Sequence, residues 1–152
     1  YESTVVVPNM ASAFAAAAAA TNSTDDSTDD STDNSTDKAA ASASNVIEVT
    51  KQHRRLGELA HESQRHSDNL LGNIVSETRW LPLRAEERGA IAASAFGAGF
   101  GGSVWALVKS EDADEFKHAW ANDYSQKHPQ SAARATFFTM RPGPGARQIE
   151  RY

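Results

Sequence analysis

Apolar and polar positions alternate along this chain in blocks that predict a short series of helices and strands. Val46, Val49, Leu56 and Leu59 recur at helical spacing, with Lys51, His53, Arg54 and Glu58 between them. That pattern predicts an amphipathic helix running toward Ser67, its apolar stripe laid on a sheet. A second helix is expected from about Ser76 to Arg88, kinked or split near Leu81 by Pro82 and ended by Gly89. Ile91 to Phe96 and Ser103 to Val108 are short, uncharged and apolar, as buried strands are. Beyond them Ser110 is a good N-cap, with Glu111 and Asp112 in the first turn. Ala113, Phe116, Trp120 and Tyr124 then follow at i, i+3, i+7 and i+11, a stripe read as core packing, and His128-Pro129 stops the helix. Thr136 to Met140 reads as a last strand closed by Pro142-Gly143-Pro144. Helices, strand, loop, strand, helix and strand predict an α+β fold, an antiparallel sheet packed against helices as in a ferredoxin-like sandwich.

The loop between the first two strands is the most informative stretch. Gly97-Ala98-Gly99-Phe100-Gly101-Gly102 places four glycines in six positions. Glycine enters positive-φ regions without a Cβ clash, so such a run turns backbone N–H groups toward an anion or lets another loop pack closely against it. Gly97, Gly99 and Gly102 match the dinucleotide fingerprint G-x-G-x-x-G, but that motif must open a helix and here a strand follows. With Val104 the run also matches the glycine loop of protein kinases, and Lys109 mimics their strand lysine. No Asp-Phe-Gly or Ala-Pro-Glu follows, His53-Arg54-Arg55 lies upstream without the Asp, and the chain is too short for that fold.

Gly89 to Val108 resembles the third conserved motif of the GHMP small-molecule kinases, closest to its galactokinase form. Ser63 and Leu70 to Thr78 look like the helix-to-helix segment before that motif, and Phe137 to Ala146 look like the closing strand and tail. The chain departs from the family pattern at Phe96 and Ser103, where Thr or Ser and Cys are common. The resemblance spans about Val46 to Ile149, and Tyr1 to Ala20 would align with a helix before it. It implies a GHMP kinase C-terminal domain over 46–152 and ATP-dependent phosphorylation of a sugar hydroxyl, galactose to galactose 1-phosphate, with Mg²⁺ bridging the phosphates. Gly97, Ala98, Gly99, Phe100, Gly101 and Gly102 would support the nucleotide and substrate cleft. The family's phosphate loop, sugar signature and catalytic Asp and Arg have no counterpart in this chain. Its partner is then a missing N-terminal kinase domain, and alone it should bind neither ATP nor Mg²⁺ and phosphorylate nothing. The alternative is a non-catalytic, galactokinase-like sugar-sensing or interaction module.

Composition changes the picture at one place. Ser23-Thr24-Asp25-Asp26 and three near-copies ending at Lys38 carry no apolar side chain, so 21–45 is expected as a disordered acidic insert after an N-terminal helix over 1–20. Six of the twenty acids lie in it, so the net charge of −5 belongs to the insert and the rest is nearly neutral. The tetrads lack the glycine and terminal Glu of an EF-hand. Asn22-Ser23-Thr24 fits a glycosylation sequon and Ser23 with Asp26 a phosphorylation pattern, both frequent by chance.

The chain has no cysteine, which removes disulfides and thiolate metal sites. The alanine run near Ala13 to Ala20 lacks the preceding basic residues of a signal peptide, and no run approaches the ~20 apolar residues of a membrane span. A cytoplasmic protein without membrane or nucleic-acid partners is expected. His61-Glu62-Ser63-Gln64-Arg65-His66 spaces its histidines five apart where the zincin motif needs four, so no metal site is expected. Arg54, Arg55 and Arg65, interleaved with Glu58 and Glu62, read as a solvated helix face.

Overall fold

The computed structural model describes residues 35–141. The predicted helix over 1–20, the first tetrads with their sequon and phosphorylation pattern, and the closing Pro142-Gly143-Pro144 lie outside the described residues. The chain divides into two compact units, meeting in sequence at Lys109 and Ser110.

The first unit opens with helix α1, Ser35–His66. The helix begins eleven residues before Val46, so Ser35 to Asn45, expected as part of the disordered insert, is helical instead. Ala39 to Ala41 and Ala43 supply the best helix formers. Once the amphipathic stretch has nucleated the helix, each added alanine costs little. Its C-terminal half is the anchored half: Leu56 and Leu59 are 1% exposed and Ala60 is fully buried, whereas Val46 and Ile47 are exposed. A π turn, Ser67–Leu71, follows and ends on Gly72 in the left-handed region.

Helix α2, Ser76–Glu87, starts where Thr78 at its third position accepts a hydrogen bond on Oγ1 from the Val75 amide at 3.1 Å. It ends in a full Schellman motif: Gly89 at φ 90 donates to the Glu86 carbonyl, and the Ala90 amide to the Ala85 carbonyl, both at 2.9 Å. Of the kink or split expected at Pro82, the split does not occur: α2 is one helix, with Pro82 buried within it. The physical reason is a side chain from α1. Proline has no N–H to offer the carbonyl four residues back, here Thr78. Gln64 Nε2 donates to that carbonyl at 3.0 Å in its place. The same Gln64 accepts on Oε1 from the Ala95 amide at 2.8 Å and from Ser94 Oγ at 3.3 Å, so one side chain of α1 satisfies groups on both α2 and β1.

Strands β1, Ala92–Phe96, and β2, Ser103–Leu107, pair antiparallel with Ala92 opposite Leu107 and Phe96 opposite Ser103. Helices α1 and α2 both pack on β1, and α2 also on β2. Leu56, Ala60 and Ala92 form the core cluster, with Trp105 and Leu107 packed on it. Ala92, Ala93 and Ser94 are buried in succession, which is why this strand reads as an unbroken run of small residues rather than an alternation. At Gly57 a Cβ would lie 2.7 Å from the Ile91 carbonyl oxygen, so α1 approaches the entry to β1 as closely as backbones permit.

The second unit holds a 3₁₀ turn, Ser110–Asp112, helix α3, Ala113–Lys127, and the short helix α4, Pro129–Ala132. The acidic start and the His128-Pro129 stop fall as expected, except that Ser110 to Asp112 form their own turn before α3. Trp120 and Tyr124 are buried, and Phe137 meets both, with ring centroids 5.3 and 5.7 Å away. The expected strand at Thr136 to Met140 is absent: Ala135 to Arg141 has no regular secondary structure. Its β-branched and aromatic residues fit a strand, but a strand requires a ladder partner, and here Phe137 is anchored through its ring rather than its backbone. The described fold is therefore α+β, helices with a two-stranded antiparallel sheet.

Candidate functional site

The loop that joins β1 to β2 holds all six residues singled out in the sequence, Gly97 to Gly102, on one exposed turn of the chain. Its shape requires its composition. Gly97, Gly99, Gly101 and Gly102 have φ between 86 and 110, and Phe100, the one described non-glycine residue in that region, sits at φ 59. A left-handed conformation costs an L-residue about 1–2 kcal/mol, so the turn holds Phe100 against its preference. Phe100 is 77% exposed, and Phe96 at the end of β1 is exposed as well.

One residue outside the loop sets this arrangement. Asn73, just after the π turn, accepts the Phe100 amide on its main-chain oxygen at 2.6 Å and donates from Nδ2 to the Ala98 carbonyl at 3.2 Å. It packs so closely on Gly99 that a Cβ there would lie 2.5 Å from the Asn73 Cβ, Nδ2 and main-chain oxygen. Among the described residues, the amides of Gly97, Ala98, Gly99 and Gly101 have no acceptor in the chain. Amides without an acceptor in the chain are left to solvent or to a ligand's oxygens.

The link that carries Asn73 is braced on both sides. Arg79 in α2 donates from Nε and Nη2 to the two carboxylate oxygens of Asp68 in the π turn, at 2.7 and 2.6 Å. This hydrogen-bonded pair holds the Asp68 carboxyl below the usual carboxylate range and raises the Arg79 guanidinium. The bridge is on the surface.

The other polar candidates stay apart from the loop's chemistry. Arg54, Glu58, His61, Glu62 and Arg65 line an open groove of about 650 Å³ along α1, with Gly57, Ile91 and Glu86. Part of this charge is paired: Arg54 Nε and Arg55 Nη1 lie 4.0 and 3.4 Å from Glu58, and His61 Nδ1 lies 3.7 Å from Glu86. Among the described residues no three metal-binding side chains cluster, and no helix is long and apolar enough to cross a membrane.

Sequence reasoning marked the loop but not its clamp. Asn73 and Gln64 act on partners 25 and 31 residues away. No local spacing announces such bonds. The family resemblance marked the Leu70 to Thr78 segment that contains Asn73, but not the residue.

The family model described as GHMP kinases C terminal matches residues 40–126. No curated protein and no solved structure gives a significant match. With more than half of its residues inside that match, and the strand–glycine loop–strand unit within it, the chain belongs to the GHMP kinase family through its C-terminal domain.

Proposed function

We propose that this chain is the C-terminal part of an ATP-dependent sugar kinase that converts galactose to galactose 1-phosphate, and that Gly97 to Gly102 face the nucleotide phosphates. The observation that carries the reading is the loop with four unclaimed amides at the tip of the β1–β2 pair, in a chain whose family is a kinase family. ATP supplies the phosphoryl group, and Mg²⁺ offsets the phosphate charge. The amides of Gly97, Ala98, Gly99 and Gly101 donate to phosphate oxygens, and they do so from a fixed backbone, which spares the reorganisation that mobile side chains would need. The sugar's anomeric oxygen forms the new bond to phosphorus as the bond to the ADP oxygen breaks. Its proton leaves to a base carried by the N-terminal domain, where the reading also places the phosphate loop and the Mg²⁺ ligands.

The test is sugar-dependent ADP release by the intact polypeptide containing this chain, over galactose, N-acetylgalactosamine, arabinose and galacturonate. Turnover on galactose alone is the expected result. Preference for another sugar would keep the kinase and replace the substrate. A folded protein that binds sugar without turnover would be the sugar-sensing relative instead.

A further inference from the structure

We propose that Asn73 is the positioning residue of the glycine loop, holding Ala98 to Phe100 in the shape that meets the phosphates; this rests on the kinase reading above. Three contacts converge on one asparagine. Its main-chain oxygen takes the Phe100 amide, its Nδ2 takes the Ala98 carbonyl, and its Cβ and amide lie against the face of Gly99 where a side chain would be. The peptide segment 98–100 is therefore held at both ends and pressed in the middle by a single residue.

The consequences for the loop follow from what is bonded and what is not. The Phe100 amide is committed to Asn73, which stabilises the disfavoured φ of 59. With the Ala98 carbonyl tied back, the neighbouring amides of Ala98, Gly99 and Gly101 remain without intrachain acceptors. A side-chain donor is essential at this position, because the group it meets is a carbonyl. Asn73 Oδ1 is buried and has no partner. Only the Nδ2 half of the side chain is in use, and the residue is kept for its donor. Position 73 is in turn fixed from behind by the left-handed Gly72 and by the Asp68–Arg79 bridge.

The chemistry gives the test its control. Asn73→Ala keeps the main-chain bond and loses the donor. Asn73→Asp is isosteric but sets a carboxylate against the Ala98 carbonyl; once protonated, the same group donates again. In the 152-residue chain, amide hydrogen exchange should show the Phe100 N–H losing protection about tenfold in both variants, the loss of one hydrogen bond. The thermal midpoint should fall by no more than that one bond is worth. In the intact enzyme the KM for ATP should rise about tenfold, with the KM for sugar unchanged. The Asn73→Asp defect, relative to wild type at the same pH, should shrink as pH falls through the new carboxyl's titration, a rescue that a purely structural role would not produce. Unchanged protection at Phe100, or equal losses in both KM values without pH rescue, would overturn the proposal. If the intact wild-type enzyme turns over no sugar, the kinase reading falls, while the exchange measurement still decides whether Asn73 shapes the loop.

Discussion

The two ends of the β1–β2 pair are built on opposite terms. At the closed end, α1 and α2 bury Leu56, Ala60, Ala92 and Ala93, and Gln64 occupies the polar groups that packing strands there. At the open end, the glycine loop projects with Phe96 and Phe100 exposed, and Asn73 alone among the side chains of the described residues grips it. The first end stores stability and the second stores shape. Substitutions at the first should act through the unfolding midpoint alone, and substitutions at the second should in addition loosen the loop, which hydrogen exchange at Phe100 reads.

The largest expected effect belongs to Gln64. Truncation to alanine strands the Thr78 carbonyl and the Ala95 amide, each at a cost of about 1–3 kcal/mol, so Gln64→Ala should lose about 3 kcal/mol in denaturant unfolding. The cause can be isolated with a second substitution. Pro82→Ala restores an N–H that can bond the Thr78 carbonyl within the helix. In the double variant the combined loss should therefore fall short of the sum of the single losses. Simple additivity would mean that Gln64 is not what keeps α2 continuous through its proline.

That pair of residues also shows what could and could not be read from the chain. The glycine loop, both strands, the cap at Gly89 and the aromatic stripe of α3 were legible because each is a local rule: positive φ, an uncharged run, a helix end, a 3.6-residue period. Pro82 does not split its helix because the rule about proline is local while its remedy, Gln64, comes from another helix. The segment holding Asn73 was marked, but its grip on the loop was not, for the same reason. Thr136 to Met140 carries strand propensity, yet among the described residues it finds no ladder partner, and propensity without a partner does not make a strand. The helical start at Ser35 is the reverse case, a segment with weak tertiary signal that continues a helix already formed.

Next in size is a test of close approach at the closed end. An alanine in the middle of a helix is ordinarily better than glycine by about 1 kcal/mol. At Gly57 the added Cβ would meet the Ile91 carbonyl at 2.7 Å, and that neighbour is backbone. Displacing it costs about 1–3 kcal/mol. The clash should win, and Gly57→Ala should lower the unfolding midpoint. A higher midpoint would show that α1 and β1 can part cheaply. At the open end, Gly99 and Gly101 are a matched pair, with φ 86 and 110, but only Gly99 has a neighbour within reach. Gly101→Ala should cost about 1 kcal/mol from backbone strain alone. Gly99→Ala should cost more and also lower hydrogen-exchange protection at Phe100, since its Cβ would push Asn73 aside. Equal effects would remove Asn73 from the account of the loop.

The smallest effect concerns the brace behind Asn73, and its sign can be worked out. In the unfolded chain an aspartate titrates at about 3.9. In the folded chain the hydrogen bonds from Arg79 depress the Asp68 carboxyl below that. Between the two values the unfolded state binds the extra proton, so the bridge's contribution is complete above the unfolded value and is lost as pH falls through the folded one. Asp68→Asn should thus lower the midpoint slightly at pH 7 and make no difference in strong acid. Both groups are at the surface, so salt should weaken the effect. The more telling readout lies at the loop. If the bridge positions the Gly72–Val75 link, exchange at the Phe100 amide should quicken in Asp68→Asn at pH 7 beyond what the change in global stability accounts for. Protection that follows global stability alone would confine the bridge to a surface contact and leave the grip on the glycine loop to Asn73 and Gly72.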